Sequence, residues 1–191
     1  MKLLLASNSP RRKELLQSLG YDFKVVSVEC DEIYPEEISV HAIAGYLAEL
    51  KSNSYKTLQK DEVLITADTV VVLDGEVLGK PDDALQAAEM LRKLSGRTHE
   101  VYTGITLRAA GKKRTVSDRA KVYFQKFSPE EIDFYISRFR PFDKAGSYGI
   151  QEWLGMAKIS KIEGSFYTIM GLPTHLIYEN LKDFGEDTFQ K

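Results

Sequence analysis

The chain has 191 residues, and its 26 lysines and arginines against 28 aspartates and glutamates give a formal net charge of −2 at pH 7. Hydrophobic residues at 43% and charged residues at 28% are typical of a globular protein with a packed core and exclude a disordered chain. The lack of a basic excess argues against a general nucleic-acid-binding protein. A single cysteine, Cys30, excludes an internal disulfide and a cysteine-based zinc site.

The N-terminal segment resembles a secretory signal only faintly. Its apolar run ends at Ala6, which is too early for a signal peptide, and polar and basic residues follow from Ser7 to Arg12. No stretch of the sequence approaches the roughly 18 apolar residues of a membrane span. We therefore expect a cytoplasmic protein with no membrane partner.

Strands and helices are predicted to alternate along the chain. Ser9 and Pro10 begin the first helix, Asp74-Gly75 indicates a hairpin, and Ser128-Pro129-Glu130-Glu131 predicts a capping box. Runs of apolar and β-branched residues predict strands over residues 2–6, 23–28, 63–67, 70–73, 101–108 and 115–124, with further strands between 159 and 169. Apolar spacing and capping residues predict helices from 10 to 19, from 39 onward, and over 82–95, 128–139 and 173–185.

This alternation predicts an α/β fold with a mixed twisted sheet and flanking helices. No repeat or Pro/Gly/Ser-rich linker divides the sequence, so we expect one domain over residues 1–191, with a division into two lobes left open. The last residues, 186–191, are expected to be frayed.

The first chemical feature is the segment from Ser7 to Arg12, where a strand ends and a helix begins. The free N–H groups of a helix start and the helix dipole favour an anion there. Arg11 and Arg12 lie in the first turn, where positive charge opposes the helix dipole and is unfavourable unless a negative group lies nearby. A bound phosphate would be such a group, so the pattern indicates a phosphate clamp. The alternative is an ordinary capped helix with solvated arginines.

The second feature is Asp68, which interrupts a run of apolar and β-branched residues and precedes Thr69. A carboxylate inside a strand is costly unless it is paired, hydrogen-bonded or metal-bound. It could serve as a metal ligand or general base, or it could cap a bulge between two strands. Lys80, between Gly79 and Pro81, can supply a positive charge to phosphate, although the P-loop spacing is missing.

The third feature is the small-residue loop from Lys144 to Gln151. Its glycines let the backbone approach a ligand closely, and the Gln151 amide could pair with the edge of a base. An ordinary tight loop is the alternative. Glu32 is an unremarkable acidic residue on local grounds, and the three histidines share no metal-ligand spacing, so we expect structural roles for them: His41, His99 and His175.

Taken together, these segments resemble the Maf family of nucleoside triphosphate pyrophosphatases. They follow the family's order over almost the whole chain. The segments that carry the resemblance are Leu5-Ala6-Ser7-Asn8-Ser9-Pro10-Arg11-Arg12, Ala67-Asp68-Thr69-Val70-Val71, Leu78-Gly79-Lys80-Pro81, His99-Glu100-Val101-Tyr102-Thr103-Gly104, Lys144-Ala145-Gly146-Ser147-Tyr148-Gly149-Ile150-Gln151 and Gly171-Leu172-Pro173.

The resemblance implies a cytoplasmic enzyme with two α/β lobes around a cleft, similar to the inosine triphosphate pyrophosphatase fold. Such enzymes hydrolyse a nucleoside triphosphate between the α- and β-phosphates with a divalent cation, Mg²⁺ or Mn²⁺, and are often dimeric. A small-molecule nucleotide and a second copy of the chain are therefore the expected partners. Nucleic acid is not an expected partner.

The resemblance also implies roles for individual residues. The family's proposed general base matches Asp68, and its phosphate- and metal-side residues match Ser7, Arg11, Arg12, Glu32 and Lys80, with Glu32 and Asp68 on the metal. The type acting on dTTP and UTP carries Arg, Thr and Gln at specificity positions that match Arg12, Thr69 and Gln151. The helix start after Ser9 and the amine of Lys144 complete the expected basic cleft.

One departure and two alternatives accompany the resemblance. Glu152 and Trp153 follow Gln151 where many members have a glycine, and we expect their bulk to reshape the rim of the base pocket. The alternatives are the sister type that acts on 7-methyl-GTP and a non-catalytic nucleotide-binding regulator of cell division. Among the classes of function, a nucleic-acid-binding module comes third, after an enzyme and a non-catalytic regulator. No basic stripe with interspersed aromatic residues is evident in the sequence.

Overall fold

The computed structural model describes residues 1–185, so the expected fraying of residues 186–191 lies outside the described part. Strands and helices alternate as predicted. The elements in chain order are β1 (Lys2–Ala6), α1 (Pro10–Ser18), β2 (Phe23–Val26), α2 (Val40–Ser54), β3 (Glu62–Leu73), β4 (Glu76–Leu78), α3 (Ala84–Leu94), β5 (Thr98–Ala109), β6 (Lys112–Phe124), α4 (Pro129–Phe139), a 3₁₀ turn (Ala145–Ser147), α5 (Trp153–Lys158), β7 (Ile159–Glu163), α6 (Phe166–Met170) and α7 (Thr174–Lys182).

The strands form a mixed sheet in the order β2-β1-β3-β5-β6-β7, with β4 paired to β3. Strand β1 is parallel to both of its neighbours, with Leu3 opposite Phe23 in β2 and opposite Val63 in β3. The β3–β4 and β6–β7 pairs are antiparallel. The prediction of an α/β fold with a mixed sheet and flanking helices is therefore confirmed.

The chain folds into two compact units, each assembled from segments that are distant in sequence. Unit 1 contains Met1–Asp68, Thr103–Asp118 and the described residues from Gly171 onward, and unit 2 contains Thr69–Tyr102 and Arg119–Met170. The single-domain interpretation of residues 1–191 stays a prediction, and so does the cleft.

In unit 1, helix α2 lies directly on the sheet. The Thr66 hydroxyl in β3 donates a hydrogen bond of 2.6 Å to the Ala48 carbonyl of α2. Gly104 in β5 makes this approach possible, since a Cβ added there would lie 2.4 Å from the backbone of Ala44 and of Gly45. The core of this unit includes the fully buried side chains Leu5, Leu16, Ile43, Leu64, Ile65, Ile105, Leu107 and Leu172.

Unit 2 is built on two capped helices. Asp83 caps α3 by accepting from the Gln86 N–H at 2.8 Å. The predicted capping box of α4 is present, because Ser128 and Glu131 each accept from the other's backbone N–H. The fully buried side chains of this unit include Leu91 and Leu94 of α3, Tyr135 of α4 and Leu154 of α5.

Two predictions differ from the structure. The strands expected at 63–67 and 70–73 are one continuous strand, β3, because the Asp68 carboxylate is paired and no bulge is needed. The prediction of strands throughout 159–169 is wrong in its second half. Gly164, at φ +101°, ends β7, and the Ser165 hydroxyl accepts from the Tyr167 N–H at 3.2 Å at the start of α6.

The short helix α5 was not expected from the sequence. It has only six residues, too few for a clear apolar periodicity, and contains Gly155. A Cβ at Gly155 would lie 1.8 Å from the Ile150 carbonyl oxygen, so the glycine is required by close backbone packing rather than by a turn. Among the helices described in residues 1–185, none has the length and apolar character needed to cross a membrane.

Candidate active site

Asp68 lies within β3 and is almost completely buried, with 6% of its surface exposed. Its carboxylate accepts a short hydrogen bond from the Lys51 ammonium, which projects from the last turn of α2. The lysine is also largely buried, so the pair is screened from water. The cost of placing a carboxylate inside this strand is therefore offset by a dedicated cation.

Glu32 joins the same cluster. It lies in the segment without regular structure between β2 and α2, and its Oε1 is 2.9 Å from the Lys51 Nζ. One ammonium thus holds two carboxylates that are 36 positions apart in the sequence. The predicted pair of Glu32 and Asp68 is brought together, and the residue that does so, Lys51, was not predicted.

A sequence signal for Lys51 existed. Ile43, Leu47 and Lys51 are spaced four residues apart on α2, so a lysine continues the apolar stripe that faces the core. A lysine at such a position must find a carboxylate or leave the interior. Asp68 was the available partner.

Arg12, in the first turn of α1, holds two backbone segments of unit 1. Its Nε donates to the Gly171 carbonyl at 2.7 Å, and one terminal nitrogen donates to the Ala67 carbonyl at 2.9 Å. Ala67 is the residue before Asp68, so Arg12 fixes the backbone from which the catalytic candidate projects. This positioning accompanies the expected phosphate-binding role.

The charges around Arg12 are coupled. Burial lowers the pKa of Arg12 below its usual range, and the neighbouring charge of Arg11 lowers it further, while Asp68 and Glu32 raise it. Arginine nevertheless keeps its positive charge at neutral pH. Arg12 therefore lies within electrostatic range of both carboxylates and of Arg11.

The two serines before α1 do not form the hydrogen bonds of a simple capped helix. Ser9 precedes the helix as predicted, but its side chain makes no capping hydrogen bond. Instead its backbone N–H donates to the Ser7 hydroxyl oxygen at 3.2 Å. The first turn of α1 contains no acidic residue, so the helix dipole there faces two arginines without an internal counter-charge.

The carboxylate pair suits a divalent cation. Mg²⁺ is bound by hard oxygen ligands and commonly takes one or two carboxylates together with substrate phosphates. Glu32 and Asp68 already converge on one positive charge. Within residues 1–185 no group of three or more His, Cys, Asp or Glu side chains is placed to hold a metal ion.

The remaining predicted residues belong to unit 2. Thr69 follows Asp68 in β3 and is half-buried, and Lys80 is exposed just after β4. The Gly146 N–H donates to the Gly79 carbonyl at 3.0 Å, which joins the segment carrying Lys80 to the loop of residues 144–151. Gln151 is exposed at the end of that loop.

Lys144 and Glu152 are arranged differently from expectation. The Lys144 Nζ lies 2.7 Å from Asp143 Oδ1 and 3.1 Å from Glu152 Oε1, and its side chain is only 8% exposed. Glu152 turns inward to this lysine and to the Tyr135 hydroxyl, so it does not add bulk at a rim. A substrate-binding role for Lys144 stays a prediction.

His99 illustrates the structural role expected for the histidines. It is buried in unit 2, its Nε2 is 2.7 Å from the Tyr148 hydroxyl, and its ring packs against Phe124. Burial lowers the pKa of His99 to about 3, so the ring is neutral at physiological pH. Its Nδ1 has no hydrogen-bond partner among the described residues.

Comparison with known proteins identifies the family. Residues 2–184 match the family described as Maf-like protein. The chain belongs to this family, as the sequence segments indicated.

Two relatives are similar over nearly their full length, and both are named dTTP/UTP pyrophosphatase. One, from Porphyromonas gingivalis (strain W83), is 50% identical over 189 residues, covering 97% of this chain and 95% of the relative. The other, from Phocaeicola vulgatus, is 48% identical over 183 residues, covering 95% of each chain.

Among solved structures, the Staphylococcus aureus Ham1 protein is similar over 65% of this chain and 72% of that chain, with a TM-score of 0.48 and 16% identity. The expected likeness to the inosine triphosphate pyrophosphatase fold stays a prediction.

Proposed function

We propose that this chain hydrolyses dTTP and UTP between the α- and β-phosphates, releasing the nucleoside monophosphate and pyrophosphate. The geometric observation that carries the proposal is the cluster of Asp68, Glu32 and Lys51, in which two carboxylates of unit 1 share one buried ammonium. The near-full-length similarity to relatives named dTTP/UTP pyrophosphatase supports the substrate class.

Asp68 is the proposed general base. It orients a water molecule and accepts its proton while the water oxygen bonds to the α-phosphorus, and the bond from that phosphorus to the bridging oxygen breaks as pyrophosphate leaves. Lys51 keeps the Asp68 carboxylate in place by its hydrogen bond.

Glu32 and Asp68 would hold the divalent cation. When bound, Mg²⁺ or Mn²⁺ would offset the charge that develops on the pyrophosphate leaving group. Arg11, Arg12 and Lys80 would neutralise phosphate oxygens, and the N–H groups at the start of α1, beyond Ser7 and Ser9, would add donors.

Thr69 and Gln151 are the proposed readers of the pyrimidine. Uracil and thymine present a carbonyl and an N3–H donor, which a glutamine amide can satisfy with one acceptor and one donor. Cytosine reverses this pattern and would leave buried polar groups unpaired. We also propose a cytoplasmic location and a homodimer, the latter to be checked by light scattering of the purified chain.

A pyrophosphate-release screen tests this proposal. The purified chain is assayed with dTTP, UTP, CTP, GTP, ATP and 7-methyl-GTP, each with Mg²⁺ and with Mn²⁺. We expect the highest kcat/KM for dTTP and UTP. Preference for 7-methyl-GTP would favour the sister type, and absence of pyrophosphate release with every nucleotide would favour a non-catalytic nucleotide-binding protein.

A further inference from the structure

A buried polar network encloses the end of the loop that carries Gln151. Glu152 accepts a short hydrogen bond from the Tyr135 hydroxyl through one carboxylate oxygen, and the other oxygen lies 3.1 Å from the Lys144 ammonium. The Tyr135 oxygen in turn accepts from the Gly149 N–H at 2.9 Å. All four residues belong to unit 2.

The network is built against the backbone of one turn. The Glu152 N–H donates to the Gly149 carbonyl at 3.0 Å, which closes the turn from 149 to 152. A Cβ added at Gly149 would lie 2.8 Å from the Glu152 carboxyl carbon and 3.1 Å from the Lys144 Cε. The charged side chains therefore pack directly on the turn and leave it little freedom to move.

The Glu152 side chain does not stabilise the start of the helix that follows it. It occupies the position before α5, yet its side chain makes no capping hydrogen bond to that helix. The side chains of Glu152 and Lys144 are 17% and 8% exposed. An apolar pair of similar volume is often as stable as a buried ion pair or more stable, so stability alone does not explain the charges. Burial and the Glu152 charge raise the pKa of Tyr135, so its hydroxyl remains a donor to the carboxylate.

Gln151 is the exposed residue of this turn. Its neighbours Ile150 and Gly149 are buried, and its amide has no hydrogen-bond partner among the described residues. An amide that discriminates between bases must be held in one orientation, because rotation exchanges its donor and its acceptor. The fixed backbone of the turn limits the orientations that the amide can adopt.

We propose that Glu152, with Tyr135 and Lys144, is a positioning residue that fixes the Gly149–Glu152 turn and thereby sets the discrimination of Gln151 between uracil and cytosine. The inference rests on the proposed function, since it assigns a cause to the pyrimidine preference of that same activity. The charged pair is retained for this precision, which a flexible or apolar turn would not supply.

The test compares the ratio of kcat/KM for UTP to kcat/KM for CTP in the full chain and its variants. Glu152→Ala and Tyr135→Phe should each lower this ratio about tenfold or more, mainly through a higher KM for UTP, while kcat with UTP falls less than about threefold. Glu152→Gln, which still accepts from the Tyr135 hydroxyl, should recover part of the ratio.

An exposed group of the same chemistry provides the control. The Tyr123 hydroxyl donates to Glu163 at 3.0 Å, and Glu163 is also paired with Lys161, all in unit 2 and on the surface. Tyr123→Phe and Glu163→Ala should leave the UTP-to-CTP ratio unchanged. Thermal unfolding of every variant shows which of them are folded, and Tyr135→Phe, which removes one oxygen, decides the case if Glu152→Ala does not fold.

Two results would overturn the inference, and they are distinguishable. If the unmodified chain prefers UTP and the folded Tyr135→Phe and Glu152→Ala variants keep its ratio, the positioning role is wrong while the proposed function stands. If the unmodified chain itself shows no preference for UTP over CTP, the proposed function fails and the inference falls with it.

Discussion

At the scale of single residues, Asp68 is the residue on which the proposed chemistry depends. Its carboxylate is buried in a strand, bound by Lys51 and linked through that lysine to Glu32. Asp68→Asn removes the base but keeps the size and one acceptor oxygen. We expect kcat for UTP to fall by about 10² to 10⁴, as is typical when a general base is lost.

Pyrophosphate release measured at saturating UTP checks this prediction. Asp61→Asn is the matched control, because Asp61 is an exposed aspartate of the same unit that is also paired with a lysine, Lys2, at 3.0 Å. It should keep the unmodified rate. An Asp68→Asn variant that retains full activity would remove Asp68 from the mechanism.

The buried His99 makes a prediction about pH and stability. An unfolded histidine takes up a proton near pH 6.5, whereas folded His99 has a pKa of about 3. Between these values the unfolded state binds more protons, so stability is lost as the pH falls below about 6.5. The loss between pH 7 and pH 5 should be about 2 kcal/mol larger in the unmodified chain than in His99→Gln.

Urea unfolding at the two pH values measures this difference. Equal losses in the unmodified chain and in His99→Gln would show that His99 is protonated in the folded protein.

At the scale of elements, the contact between α2 and β5 depends on a missing side chain. Gly104→Ala places a Cβ 2.4 Å from the backbone of Ala44 and Gly45, and backbone in a packed helix cannot yield cheaply. We expect the free energy of unfolding to fall by about 1–3 kcal/mol. Gly79→Ala, where nothing lies within 4 Å of the added carbon, should change it by less than about 0.5 kcal/mol.

Urea unfolding measures the free energy of unfolding of both glycine variants. Equal values for the two variants would contradict this packing. The consequence extends to the site, because α2 carries Lys51. A helix displaced by Gly104→Ala would move the ammonium that holds Asp68, so activity should fall together with stability.

Arg12 connects α1 to two other segments of unit 1. Its hydrogen bonds to the Gly171 and Ala67 carbonyls use nitrogens that a lysine cannot place simultaneously. Arg12→Lys should lower the free energy of unfolding by about 1–3 kcal/mol, the range of charge-assisted hydrogen bonds. Arg92→Lys, at an exposed position of α3, should leave it unchanged.

Calorimetry of the two arginine variants checks this prediction. It also separates the positioning role of Arg12 from phosphate binding, because the measurement is made without nucleotide. An Arg12→Lys variant as stable as the unmodified chain would show that the backbone contacts contribute little.

At the scale of the whole molecule, the sequence predicted most elements where local chemistry decides them. The capping box at Ser128 and the hairpin at Asp74 depend on adjacent residues, and both are present. The failures occur where distant contacts decide. Asp68 continues a strand because Lys51 reaches it from α2, and β7 is followed by Gly164, where an added Cβ would lie 2.8 Å from the Arg119 carbonyl oxygen.

The candidate site follows the same rule. The resemblance to a family singled out Asp68 and Glu32, but it was the folded chain that placed one lysine between them. Lys144 was expected to face a substrate, because the sequence shows that a residue is charged but not which way its side chain points. Its two carboxylate partners became evident only in three dimensions.

Hydrolysis of UTP in ¹⁸O-labelled water is the most direct test of the central claim, that water attacks the α-phosphorus. The reaction products are analysed by phosphorus NMR and mass spectrometry. The account predicts that the label appears in the phosphate of UMP and that the pyrophosphate is unlabelled. Labelled pyrophosphate, or release of UDP and orthophosphate, would contradict it.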